Sequence, residues 1–169
     1  MSISIKIDDT QVRAALSKLG NATHDLTPAM RDIGDGLVSR VVDGFQQGKA
    51  PNGEAWEPLQ QATMLGRLKR SKRNFRKNGR LSAQGRRAAS AGFQPLLDTG
   101  NLRNSITRKA DKHGVEIGTD VLYAATQQFG DERRGIPARP FLPTEGLPHD
   151  WQAEVVDALA LHLEKVLRG

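Results

Sequence analysis

The chain has 169 residues, no cysteine and a formal net charge of +6. That length suits one domain, or a domain with one long appendage, and the missing cysteines exclude disulfides, thiolate nucleophiles, iron–sulfur clusters and zinc fingers. Leu, Ile, Val and Phe make up about 23% of the residues, just above the level at which disorder becomes the default, so a modest core is expected.

Residues 2–7 alternate, with Ile3, Ile5 and Ile7 on one face, the period of a half-buried strand. The N-terminal MSISIKIDDT has neither a basic nor an apolar leader region, so export is not expected, and no apolar run approaches the roughly 18 residues of a membrane span. Asp8, Asp9 and Thr10 offer N-cap oxygens to a helix carrying Val12, Ala15, Leu16 and Leu19, which Gly20 stops. A second helix is expected to be capped by Thr27, with Pro28 at its first position and Met30, Ile33, Leu37, Val41 and Phe45 three or four apart. Gly34, Gly36 and Gly44 weaken its propensity, so packing must hold it, and they permit another backbone to approach.

Residues 48–58 read as loop, with Trp56 either folded back as a lid on the core or anchoring an interface. A short helix is expected over residues 60–68, and little fixed structure over residues 71–94. Residues 104–110 and 115–119 are β-prone and joined by Asp111-Lys112-His113-Gly114, a plausible hairpin. Residues 123–129 suggest one or two helical turns ending at Gly130. Pro137, Pro140 and Pro143 push Ile136, Arg139 and Leu142 towards extended geometry. Trp151, Val155, Leu159, Leu163 and Val166 share one face of a C-terminal helix whose other face carries Gln152, Glu154, Asp157 and Glu164. This order gives an α+β class: a small antiparallel sheet packed against two to three helices, with a long basic insertion.

The charge is concentrated. Arg67, Lys69, Arg70, Lys72, Arg73, Arg76, Lys77, Arg80, Arg86 and Arg87 occur with no acid from position 58 to 97, while the rest of the chain is mildly acidic. Such a segment attracts phosphate backbone by counterion release, or docks on an acidic neighbour, or is a solvated insertion. Phe75 is the only aromatic between positions 67 and 87, so a base-stacking platform is not expected.

Catalytic signals are weak. His24, His113, His149 and His162 are not at metal-ligand spacing, and no nucleophile elbow, P-loop or dinucleotide fingerprint occurs. Asp98-Thr99-Gly100 matches the core of retroviral-type aspartic proteases, but Asn101-Leu102-Arg103-Asn104-Ser105 supplies no apolar strand after it. The plainer reading is that Asp98 and Thr99 accept backbone hydrogen bonds while Gly100 supplies an unusual backbone angle. No catalytic residue, metal or cofactor is assigned.

The ordered fragments resemble the phage virion morphogenesis family of tail-completion proteins. They run from Phe45, Gly48, Pro51 and Gly53 through Trp56-Glu57-Pro58-Leu59 and Thr63 to Leu97-Asp98-Thr99-Gly100-Asn101-Leu102-Arg103-Asn104-Ser105-Ile106. They continue with Val115-Glu116-Ile117-Gly118-Thr119, Tyr123-Ala124-Ala125, Gln128-Phe129-Gly130 and Ile136-Pro137-Ala138-Arg139-Pro140-Phe141-Leu142. Gln127 stands where members tend to carry His, a departure that argues further against histidine chemistry.

The resemblance implies a single virion morphogenesis domain over residues 1–169, with a basic, flexible insertion at about 66–94 and a tail-terminator or connector-like fold. It implies an assembly part, not an enzyme, acting in tail completion or head–tail joining, in the tail or neck of a virion put together in the bacterial cytoplasm. Partners would be its own copies in a ring, taken as a hexamer, together with tail tube, sheath or connector proteins. Packaged DNA is a further contact through the basic segment, and no membrane is involved. Trp56, Asp98, Gly100, Leu102, Phe129, Gly130, Arg139, Pro140 and Phe141 are the candidate interface or structural residues. Arg139, restricted by the prolines beside it, is expected to pair with a carboxylate, preferably in its own subunit. The alternative is a nucleic-acid-binding module using residues 67–87.

Overall fold

The computed structural model describes residues 16–20 and 24–168. The strand expected over residues 2–7, and the cap and first apolar positions of the helix after it, lie outside them. Residues 16–20 are helical.

The elements that follow are α1 (Thr27–Gln47), α2 (Gln61–Lys69), α3 (Ala83–Ala91), α4 (Asn101–Asn104), β1 (Thr107–Ala110), β2 (Val115–Gly118), α5 (Ala124–Phe129) and α6 (His149–Arg168). Strands β1 and β2 pair as an antiparallel hairpin, so the protein is of the α+β class. Two compact units divide the described residues. The first comprises residues up to Val38, Thr107–Ile117 and the chain from Leu147 onward; the second comprises Ser39–Ile106 and Gly118–Gly146.

Helix α1 forms on a stripe repeating every fourth residue: Ala29, Ile33, Leu37, Val41 and Phe45 are all buried, whereas Met30 is only half-buried. At its start Asp25, not the expected Thr27, supplies the side-chain oxygen, its Oδ1 accepting from the Thr27 N–H at 3.0 Å. In the first unit, Gly34 lets the hairpin close on the helix. A Cβ there would lie 2.5 Å from Cδ of Arg108 and 2.7 Å from Cγ2 of Val115. Arg108 also donates from Nη2 and Nε to the Asp35 carboxylate, the first at 2.7 Å. Helix α6 buries Trp151 and half-buries Val155, Leu159, Leu163 and Val166, the face its periodicity selects; Val156 and Leu161 stay exposed. Among the described residues no helix is long and apolar enough to cross a membrane.

The second unit is built around Phe45. Its ring meets those of Trp56 and Phe141, each at 5.5 Å between centroids.

The basic segment differs from expectation, because residues 71–94 carry regular structure. A 3₁₀ turn at Lys72–Asn74 is followed by the bridge Phe75↔Leu81 and then α3. Ser82 is the N-cap, its Oγ accepting from the Gly85 N–H at 3.0 Å and donating to the Arg73 carbonyl at 2.6 Å. Gly85 presses on the 3₁₀ turn so closely that a Cβ there would fall 2.0 Å from the Asn74 carbonyl oxygen. Asn74 is itself buried and donates to the Leu68 carbonyl at the end of α2. Backbone fit and polar bonds order this segment, without the apolar periodicity that marks a helix in a sequence.

Candidate functional site

Within the second unit, the loop around Trp56 faces the extended segment after α5. Trp56 is buried, and its indole N–H donates to the Pro140 carbonyl at 2.7 Å, so it closes the core. Arg139 is also buried, 5% exposed. It donates from Nε to the Glu57 carbonyl at 2.8 Å and from Nη2 to the Pro58 carbonyl at 3.1 Å. The bond is local, as favoured from the sequence, but the acceptors are backbone carbonyls and not the expected carboxylate. Pro140 directly after it disfavours the α region at Arg139, whose own N–H donates to the Gln127 carbonyl at 2.8 Å.

Helix α5 carries the other half of this clamp. Gln128 is buried; its Oε1 accepts from the N–H groups of Phe141 (3.0 Å) and Leu142 (3.1 Å), and its Nε2 donates to the Leu142 carbonyl. One side-chain amide thus satisfies three backbone groups of a segment that no sheet pairs. Gly130, at φ 77°, ends the helix where a Cβ would meet Ala138 N at 2.8 Å and Ile136 O at 2.9 Å. Phe129 is 72% exposed and Leu122 98% exposed, so these apolar side chains have little cover among the described residues.

The Asp98-Thr99-Gly100 turn sits opposite. Gly100 holds φ 79° as the N-cap of α4, and Leu102 is buried. Thr99 Oγ1 accepts from the Asn101 N–H at 3.3 Å, as expected. Asp98 differs from expectation: it binds arginine side chains, with Arg70 Nη1 at 2.6 Å and Arg67 Nε at 3.6 Å. Arg67 further donates from Nη1 to the carbonyls of Gln94 (3.0 Å) and Leu97 (3.1 Å) and stacks over Phe93. Two of the ten clustered cations therefore hold the Asp98 turn in place. The other eight, Lys69, Lys72, Arg73, Arg76, Lys77, Arg80, Arg86 and Arg87, are exposed.

Between turn and clamp lies a cleft of about 450 Å³, lined among others by Arg67, Asp98, Gly100, Leu102, Gln127 and Arg139. Burial pushes the Arg139 guanidinium below its ordinary pKa, Glu57 opposes this, and the charge of Arg67 reinforces it. Leu96, also on the cleft, adopts φ 59°, a left-handed angle that a branched side chain resists. Composition hid Arg67 in a run of surface charge, and no periodicity singles out Gln128 from the polar Thr126 and Gln127 just before it.

The sequence profile of the phage virion morphogenesis family matches residues 7–92 and 82–164. The chain is 34% identical to the Mu-like prophage FluMu G protein 2 of Haemophilus influenzae, over 83% of each chain. It is 25% identical to the putative capsid assembly protein G of Escherichia phage Mu, over 99% of this chain and 98% of that one. No solved structure matches it. With the profile spanning nearly the whole chain, the protein belongs to the phage virion morphogenesis family.

Proposed function

We propose that the protein is a structural subunit of the virion that completes the tail or joins it to the head. In this reading it assembles with its own copies into a ring, a hexamer by analogy with connector subunits, and meets tail tube, sheath or connector proteins in the tail or neck. The observation that carries the reading is the exposure of Leu122 and Phe129 beside a segment locked by Arg139 and Gln128. Rigid backbone flanked by uncovered apolar side chains suits a surface preorganised for a neighbour. The name of the Mu relative points to the head side and the family name to the particle as a whole; a head–tail joint accommodates both.

Disrupting the gene in an inducible phage that encodes it, followed by electron microscopy of the lysate, tests this reading. Separate heads and tails, or tails of abnormal length, are expected. Joined, infectious particles at normal yield would overturn it.

A second reading is DNA contact by the eight exposed cations, because the end of α2, the 3₁₀ turn, the Phe75↔Leu81 loop and α3 present them on an ordered support with no acid between positions 58 and 97. Filter binding across a salt series separates this from protein docking. DNA contact requires log affinity to fall linearly with log salt, by about 0.9 per phosphate neutralised.

A further inference from the structure

We propose that the cleft beside Arg139 receives a carboxylate side chain carried on an extended segment of another protein subunit. The chain leaves Arg139 in need of one. Its Nε and Nη2 are spent on neutral carbonyls, and among the described residues no carboxylate lies within ion-pair distance of it. Arg139, 5% exposed as a residue, has only carbonyl hydrogen-bond partners, and Glu57 acts on it only through space, so its guanidinium is desolvated and incompletely neutralised, an arrangement that favours capture of an anion. The other charges on the cleft do not relieve it: Asp98 is engaged by Arg70 and Arg67, and Arg134 by Asp131 at 2.6 Å.

The surroundings fit a peptide better than a nucleic acid. About 450 Å³ holds a few residues of extended chain. Leu59, Ile136 and Pro137 offer apolar contact, and Gln127 offers a side-chain amide that matches a peptide backbone, while the Gln60 amide N–H already donates to the Gly135 carbonyl at 3.5 Å. A phosphate fixed on a rigid duplex enters a cleft of this size less readily than a Glu or Asp on a single extended strand. The exposed cations that suit DNA lie outside the cleft lining. Leu96 holds its strained backbone angle on the cleft, as residues at binding sites often do. The inference goes beyond the functional reading above and stands whichever joint of the particle the protein serves.

The test follows the arginine Nε–H signals of the full chain by nitrogen-15 NMR during titration with blocked Ala-Glu-Ala, blocked Ala-Gln-Ala and inorganic phosphate. The Glu peptide should shift the Arg139 and Arg67 signals, with a dissociation constant roughly tenfold below that of the Gln peptide, as a charge-assisted contact implies. Thr63 is exposed on α2 and lines the cleft, so Thr63→Glu places a carboxylate there from within and should abolish binding without disturbing the fold. Absent shifts, equal affinity for the two peptides, or undiminished binding to Thr63→Glu would overturn the proposal. Tighter binding of phosphate than of the Glu peptide would overturn it too, assigning a phosphate ligand instead.

Discussion

The Arg139 guanidinium and the Glu57 carbonyl, 82 residues apart in sequence, meet at 2.8 Å and tie the loop before α2 to the extended segment after α5. With the Trp56 indole on the Pro140 carbonyl and the Gln128 amide on Phe141 and Leu142, this bond fixes a length of chain that has no sheet partner. Cross-links of this kind convert sequence-distant loops into one rigid surface, which the proposed role at an assembly interface would use.

Arg139→Ala removes both bonds and leaves the Glu57 and Pro58 carbonyls without these donors beside a void. A loss of about 2–3 kcal/mol is expected, seen as a fall in Tm of several degrees in the isolated subunit. Arg139→Lys keeps the charge but not the fork that reaches two acceptors, and should recover only part of that loss. An unchanged Tm accompanied by failed assembly would place the important partner of Arg139 on another subunit.

Gly85→Ala tests whether the basic segment is a folded support. The added Cβ would sit 2.0 Å from the Asn74 carbonyl oxygen, a backbone atom that cannot swing aside, so α3 must lift from the 3₁₀ turn. The cost is expected to exceed about 2 kcal/mol locally. Trypsin, which cleaves after Lys and Arg, should then cut between positions 67 and 87 far faster than in the parent protein. Equal cleavage rates would contradict the ordering described for that segment.

Acid stability should depend on Asp35. The hydrogen bonds from Arg108 hold its carboxyl below the usual carboxylate value; slight desolvation opposes them, and the charge of Arg108 adds to them. The folded pKa is depressed, so the pair contributes above the unfolded value of about 3.9 and its contribution is lost as pH falls through the folded value. Urea unfolding at a series of pH values below about 5 should show a decline in stability that is shallower in Asp35→Asn. Identical slopes in the two proteins would refute the assignment.

Apolar periodicity made α1 and α6 legible: burial of Ile33, Leu37, Val41 and Phe45, and of Trp151 with its half-buried followers, is written at helical spacing. The hairpin was legible from β-prone runs either side of the turn residues Asp111-Lys112-His113-Gly114. The basic segment was not, because its order depends on the closeness of Gly85 to Asn74, and composition announces only charge. Ser82 ahead of Ala83-Gln84-Gly85 was a readable N-cap signal there. In the cleft, the turn at Gly100 and the rigidity around Arg139 followed from residue type. The partners of Asp98 and Arg139 did not, since a sequence does not say whether an arginine ends on a carboxylate or on a carbonyl.

The account rests on the protein being part of a particle. Quantitative mass spectrometry of gradient-purified virions, with free heads and free tails from an assembly-blocked lysate analysed alongside, tests that most directly. The protein should be present at a fixed small number of copies per virion and should travel with one of the two precursors. Its absence from virions and from both precursors would contradict the structural role assigned to it.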